Sequence, residues 1–151
     1  LSYYDRKNDM AALENFTKEM IALDPDKAYN YFVLGLIAQQ NKEYDKAIEQ
    51  YEIAIQKDEN LSDAYNNLAL SIMYQATEYV DSKANVDYRS AEFKKVMAQE
   101  KEYYKKALPY VEKFREVDPT ATSKWGLLLQ QIYYKLNMDK ELKEIDKLLG
   151  N

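Results

Sequence analysis

Cysteine and histidine are both absent from this chain of 151 residues. Without thiols there is no disulfide, no thiolate metal site and no cysteine nucleophile, and reducing and oxidising compartments fit equally well. Without imidazole, the usual general base near neutral pH and the commonest transition-metal ligand are missing as well. Glycine and proline number three each, too few for a fold rich in hairpin turns or for flexible linkers. No apolar run approaches the roughly 20 residues that span a bilayer. A Gly-rich phosphate loop, an EF-hand loop and a Ser-centred nucleophile elbow are all lacking. Mixed-sign blocks such as Lys42-Glu43 and Lys140-Glu141 replace any basic stripe able to follow a phosphate backbone. These absences argue against an enzyme, a metal or other cofactor, a nucleic-acid ligand and insertion into a membrane.

What is present fits a folded, soluble domain. Hydrophobic residues make up 46% and charged residues 31%, with a net charge of −5, outside the range of disordered chains. Ala, Leu, Glu, Lys and Gln dominate, which favours helices throughout. The chain opens on Leu1 and shows no signal-peptide pattern, so it reads as a mature piece of a longer protein, cytoplasmic or periplasmic.

The strongest signal is internal. Tyr31, Leu34, Gly35 and Ala38, then Ala47, Tyr51 and Ala54, form one unit. Thirty-four residues on stand Tyr65, Leu68, Ala69 and Ile72. The closing half of that second unit arrives 26 residues late, as Ala107, Val111 and Phe114, with Pro119 after it. A third opening, Trp125, Leu128 and Ile132, follows the second by 60 residues, which is 34 plus the same 26. This spacing resembles the tetratricopeptide repeat (TPR), a helix–turn–helix unit of about 34 residues, and with its Lys-Lys-Ala-Leu-Pro closing helix it looks like bacterial TPR proteins.

The resemblance implies an all-α fold: a right-handed superhelical solenoid of antiparallel helix pairs, one repeat being lengthened into a protruding helical hairpin. Residues 1–151 are expected to form a single domain. Within it, 5–25 read as the closing half of a truncated repeat and 27–59 as a complete repeat. Residues 61–119 read as a repeat with an insertion of about 26 residues, and 120–149 as the last repeat and cap. Apolar spacing predicts helices near 5–23, 27–40, 43–57 and 62–80, a turn at 81–85, a helix from about Asp87, and two more from 120 to 149. Asp24-Pro25 and Asp118-Pro119 mark boundaries. Pro109, lacking an N–H, is expected to bend or break its helix between Tyr104 and Pro109.

In that family the opening helix of each repeat lines a concave wall. Carried over, the wall residues are Tyr29, Phe32, Val33, Leu36, Gln39 and Gln40 in the first repeat, and Asp63, Asn66, Asn67, Leu70, Met73 and Tyr74 in the second. The third supplies Ser123, Gly126, Leu127, Gln130, Tyr133 and Tyr134. Tyr29, Phe32, Leu36, Gln39, Asn66, Asn67, Leu70, Met73, Tyr74, Gln130, Tyr133 and Tyr134 are the candidate groove residues. Aromatic and Met anchors with interleaved amides suit a peptide or helix ligand. One specialised use is excluded. The cations that TPR domains use to hold an acidic chaperone tail are replaced here by Phe32, Leu36, Ser123 and Leu127, with only Asn67 matching.

The expected function is therefore a non-catalytic scaffold that binds a protein or peptide. The alternative is a structural or self-assembling module within a larger TPR protein. The N-terminal helix would then expose Met10, Leu13 and Phe16 to upstream repeats or to a second copy.

Overall fold

A computed structural model describes the backbone of residues 3–150 and the side chains of residues 9–150. Among the described residues there are seven α-helices and no strand: α1 (Tyr3–Leu23), α2 (Ala28–Gln40), α3 (Tyr44–Lys57), α4 (Ser62–Asp81), α5 (Ala91–Val117), α6 (Thr122–Leu136) and α7 (Asp139–Leu149). The all-α, repeat-built class expected from the spacing is the one observed. Two compact units divide the chain, Leu1–Ala64 and Tyr65–Asn151.

In the first unit α2 packs against both α1 and α3. The α2–α3 contact is close because Gly35 has no side chain: a Cβ there would lie 2.4 Å from Cε1 of Tyr51. The Tyr51 ring fills that gap, is fully buried, and lies 5.8 Å from the ring of Phe32. Its hydroxyl donates to Oε1 of Gln39 at 2.7 Å, and burial pushes its pKa up. Ala47 and Ala54, one turn either side of Tyr51, are wholly buried and let the helices approach. The connecting turn places Lys42 in the left-handed region at φ 61. There the Lys42 and Glu43 N–H groups reach back to the carbonyls of Gln39 and Ala38 at 3.0 and 2.9 Å, satisfying the orphan end of α2.

The second unit packs α5 on α6 and α6 on α7. Trp125 is buried with the Arg115 guanidinium 5.1 Å above its ring. Asn137 ends α6 with the same left-handed device, at φ 58, and the Met138 N–H bonds to the Tyr133 carbonyl at 2.9 Å. The α5–α6 seam also contains an ion pair. Lys135 Nζ and Glu100 Oε1 are 2.5 Å apart, and the Glu100 residue is buried. Burial pulls the Lys135 pKa down, but the hydrogen bond and charge of Glu100 outweigh it, so the net shift is upward. Tyr104, buried beside this pair, accepts from Gln131 Nε2 at 3.3 Å and carries the Lys135 ammonium over its ring.

The repeat boundaries are built from one chemical device. Oδ1 of Asp24, Asp58 and Asp118 accepts the backbone N–H two residues on, at 3.3, 2.9 and 3.1 Å. In each case the Asp carbonyl also takes the N–H three residues on, from Lys27, Leu61 and Ala121. Such Asx turns need the carboxylate and not the proline. That is why the middle boundary keeps its shape with Glu59 where Pro25 and Pro119 stand in the others. Asp26 pairs with Lys57 Nζ at 2.6 Å, and Lys27 occupies the N-cap position of α2.

The additional 26 residues are shared unequally. Relative to α2 and α3 in repeat register, α4 runs on by about seven residues and α5 begins about thirteen earlier, the rest lengthening the connector 82–90. Tyr79, near the end of α4, stacks 6.0 Å from Tyr103, twelve residues into α5. Lys135 and Gln131, near the end of α6, reach Glu100 and Tyr104. Both neighbours therefore stop level with about Gln99–Lys101, and the first turns of α5 project past them with the connector. The helix starts at Ala91, not near Asp87. Asp87 is spent on an Asx turn, its Oδ1 accepting from Arg89 N at 2.9 Å, and Ser90 is the cap, its Oγ accepting from Phe93 N at 3.0 Å.

Pro109 does not break α5, which is continuous from Ala91 to Val117. The proline and Lys105, whose carbonyl loses its partner, are both exposed, so water replaces the missing hydrogen bond.

Candidate functional site

The three opening helices α2, α4 and α6 share a register of 34 and 60 residues, so their faces can be compared position by position. The candidate wall residues separate into two stripes. Positions 29/63/123, 33/67/127, 36/70/130 and 40/74/134 are exposed or half-buried in every repeat, spaced as one helical face. Tyr29 is 56% exposed, Tyr74 41%, Leu127 57% and Tyr134 69%. Tyr74 and Tyr134 occupy the same repeat position, with Gln40 as their exposed counterpart in α2.

The other stripe turns inward. Phe32, Met73 and Tyr133 are buried and offer a partner no surface. Phe32 lies between Tyr29 and Tyr51, with ring centroids 5.7 and 5.8 Å away. Burial raises the Tyr133 pKa, with the Glu112 charge adding to it, and its ring borders a small cavity of about 180 Å³ with Arg115, Glu141 and Leu148. Asn66 is half-buried while its counterpart Gly126 is buried, where a Cβ would meet Leu149 at 2.8 Å. The cause of this inward turn is the second neighbour each opening helix acquires: α2 is held between α1 and α3, and α6 between α5 and α7. A single apolar stripe cannot fill both contacts.

The amides are largely committed. Oε1 of Gln39 accepts from Tyr51, and Gln130 donates from Nε2 to Asp146 Oδ1 at 2.7 Å, tying α6 to α7. Half-buried Leu36, Asn67 and Leu70 stay on the reachable stripe. Beside Tyr134 lies an open groove of about 560 Å³ between α6 and α7, walled by Leu127, Gln130, Gln131, Tyr134, Leu142 and Asp146. The sequence did not single out Leu142 and Asp146 for this groove. Its signal was the spacing of four on α7, legible once α7 is seen to run beside Gln130.

Among the described residues no group of three or more His, Cys, Asp or Glu is placed to hold a metal ion, and no helix is long and apolar enough to cross a membrane.

These helical hairpins, bounded by recurrent Asx turns, the first closed by Gly35 and Tyr51, form an all-α helical repeat similar to the tetratricopeptide type. The chain is 32% identical over 82 residues, 53% of its length, to the photosystem I assembly protein Ycf3 of Cuscuta gronovii and to that of Cuscuta obtusiflora. It is 35% identical over 77 residues to the Ycf3 of Dioscorea elephantipes. Those matches cover 49% and 45% of the relatives, so the chain spans about half the length of the curated relatives it matches. No protein-family model matches the chain.

Proposed function

We propose that this chain is a non-catalytic interaction scaffold whose second unit takes a peptide or helix of another protein along the reachable stripe of α4 and α6. The observation that carries the reading is the recurrence of an exposed tyrosine, Tyr74 and Tyr134, at one repeat position, with Leu70 and Leu127 on the same stripe. Large rigid aromatics presented in series bury area at low entropic cost. The relatives are named for the assembly of photosystem I, which supports a function in bringing other proteins together.

The experiment is selection of binding peptides from a random display library on the wild-type chain. Binding is then remeasured on Tyr74→Ala/Tyr134→Ala. Loss of binding at unchanged thermal stability is expected. Selected peptides that bind the double variant as tightly as wild type would sink the assignment.

A second reading has its own observation. Phe16 is 58% exposed on α1 with Leu13 beside it, one turn away, an apolar stretch that self-assembly would cover. Sedimentation showing one concentration-independent monomer would end that version.

A further inference from the structure

The projecting segment, taken together with the next turns of α5 as far as Lys106, carries a charge opposite to the rest of the molecule. From Ser82, just beyond α4, to Lys106, just before the closing signature at Ala107, there are seven basic and four acidic residues, a net of +3. The whole chain is −5, so the remainder is −8. Composition over the full length conceals this segregation.

The cations are also placed to act outward. Lys94 and Lys95 are exposed on the turns of α5 that overrun both neighbours. Lys94, Lys101 and Lys105 are spaced seven and four, which aligns them along one face for roughly 16 Å at 1.5 Å per residue. The side of α5 that packs, through Val96, Glu100 and Tyr104, lies roughly 120° around the helix from that line, and Lys101 between them is half-buried. Elsewhere Lys18, Lys46 and Lys57 are held by carboxylates at 2.6–2.9 Å, while others among the described residues, such as Lys140 and Lys143 on α7, are not. Among the described residues Lys94, Lys95 and Lys101 have no carboxylate partner; Lys105 is paired with Glu102. Beside the first turn of α5 Tyr88 is largely exposed, with the Arg89 guanidinium 5.0 Å from its ring.

We propose that the projecting part of α5 and its connector form a second docking surface, separate from the opening-helix stripe, for an acidic helical segment of a partner protein. A line of cations on a rigid helix matches carboxylates repeated every three to four residues on a second helix. An anionic bilayer fits less well, because exposed Glu102 borders the line and would be brought against the headgroups. Unpaired cations contribute mainly to association rate and selectivity, and their effect fades once the Debye length shrinks to a few ångströms.

The test uses the full chain and a labelled, end-blocked alanine-based helical peptide with Glu at positions 1, 5, 8 and 12, alongside its Gln counterpart. Binding is followed by fluorescence anisotropy at about 50 mM and about 500 mM salt. The wild type is expected to bind the Glu peptide at low salt, at least about tenfold more tightly than the Gln peptide, and to lose it at high salt. Lys94→Glu/Lys95→Glu/Lys101→Glu should abolish binding with an unchanged melting temperature, while Lys140→Glu/Lys143→Glu/Lys147→Glu on α7 should leave it intact. Equal loss in both triple variants would overturn the proposal, since net charge alone would then explain the binding. Binding to phosphatidylserine vesicles without binding to the peptide would also overturn it, as would salt-sensitive self-association that vanishes in the first triple variant. Because the stripe variants Tyr74→Ala/Tyr134→Ala leave this surface untouched, failure here and failure of the interaction reading are separate results.

Discussion

Gly35→Ala tests the packing that closes the α2–α3 hairpin. Alanine favours a helix interior over glycine by about 1 kcal/mol, so on local grounds the substitution stabilises. The structure reverses the sign. The new Cβ would meet three ring atoms of Tyr51 at 2.4, 2.6 and 2.9 Å. The ring cannot swing aside cheaply, because Phe32 lies 5.8 Å from it and Gln39 holds its hydroxyl at 2.7 Å. Overpacking a tight core costs about 1–3 kcal/mol, and a rigid aromatic backed on two sides belongs near the upper figure. Subtracting the helical gain leaves a net loss of about 2 kcal/mol, a drop of roughly 4–8 °C in melting temperature for a chain of this size. Urea and thermal unfolding followed by circular dichroism measure it. Replacing the ring should relieve the clash, so Gly35→Ala/Tyr51→Leu should be less destabilised than the sum of its parts, by about 1–2 kcal/mol of coupling. A Gly35→Ala variant as stable as wild type, or more so, would refute the argument that the hairpin closes on this contact.

Neighbouring tyrosines on α6 should behave oppositely: Tyr133→Ala is expected to cost about 3–5 kcal/mol as a buried aromatic, and Tyr134→Ala less than about 0.5 kcal/mol, read by the same unfolding curves. Lys42→Gly should raise the melting temperature, since it relieves a left-handed residue of a strain of about 1 kcal/mol; a fall would mean that the Lys42 side chain matters more than its backbone. Because Glu100 raises the Lys135 pKa, its stabilisation is fully present below the unfolded lysine pKa and is lost as pH rises through the folded value. Lys135→Met should therefore flatten the alkaline decline in stability. The Asp118 pKa is lowered, chiefly by the Thr120 hydrogen bond, so its contribution is present above the ordinary carboxylate range and vanishes as pH falls through the depressed value. Thr120→Val should shift the acid limb of unfolding upward in pH, and an unmoved limb would show that the turn does not depend on that bond.

Much of this was determined by sequence alone because repeats are local. Apolar spacing located the helices to within a few residues, and the offset of 26 announced a lengthened repeat. Asp24, Asp58 and Asp118 could mark the boundaries because an Asx turn is made within three residues. Where the sequence pattern misled, the deciding neighbour lay far along the chain. Phe32, Met73 and Tyr133 sit at wall positions by count, yet they are buried. Periodicity gives an angle around a helix, not the number of helices packed against it. Pro109 stays inside α5 because its face is open to water, a matter of exposure that no spacing reveals. The outward aim of the cations was equally a tertiary outcome: α4 and α6 both stop near the level of Glu100, and only helices brought together by folding can define that level.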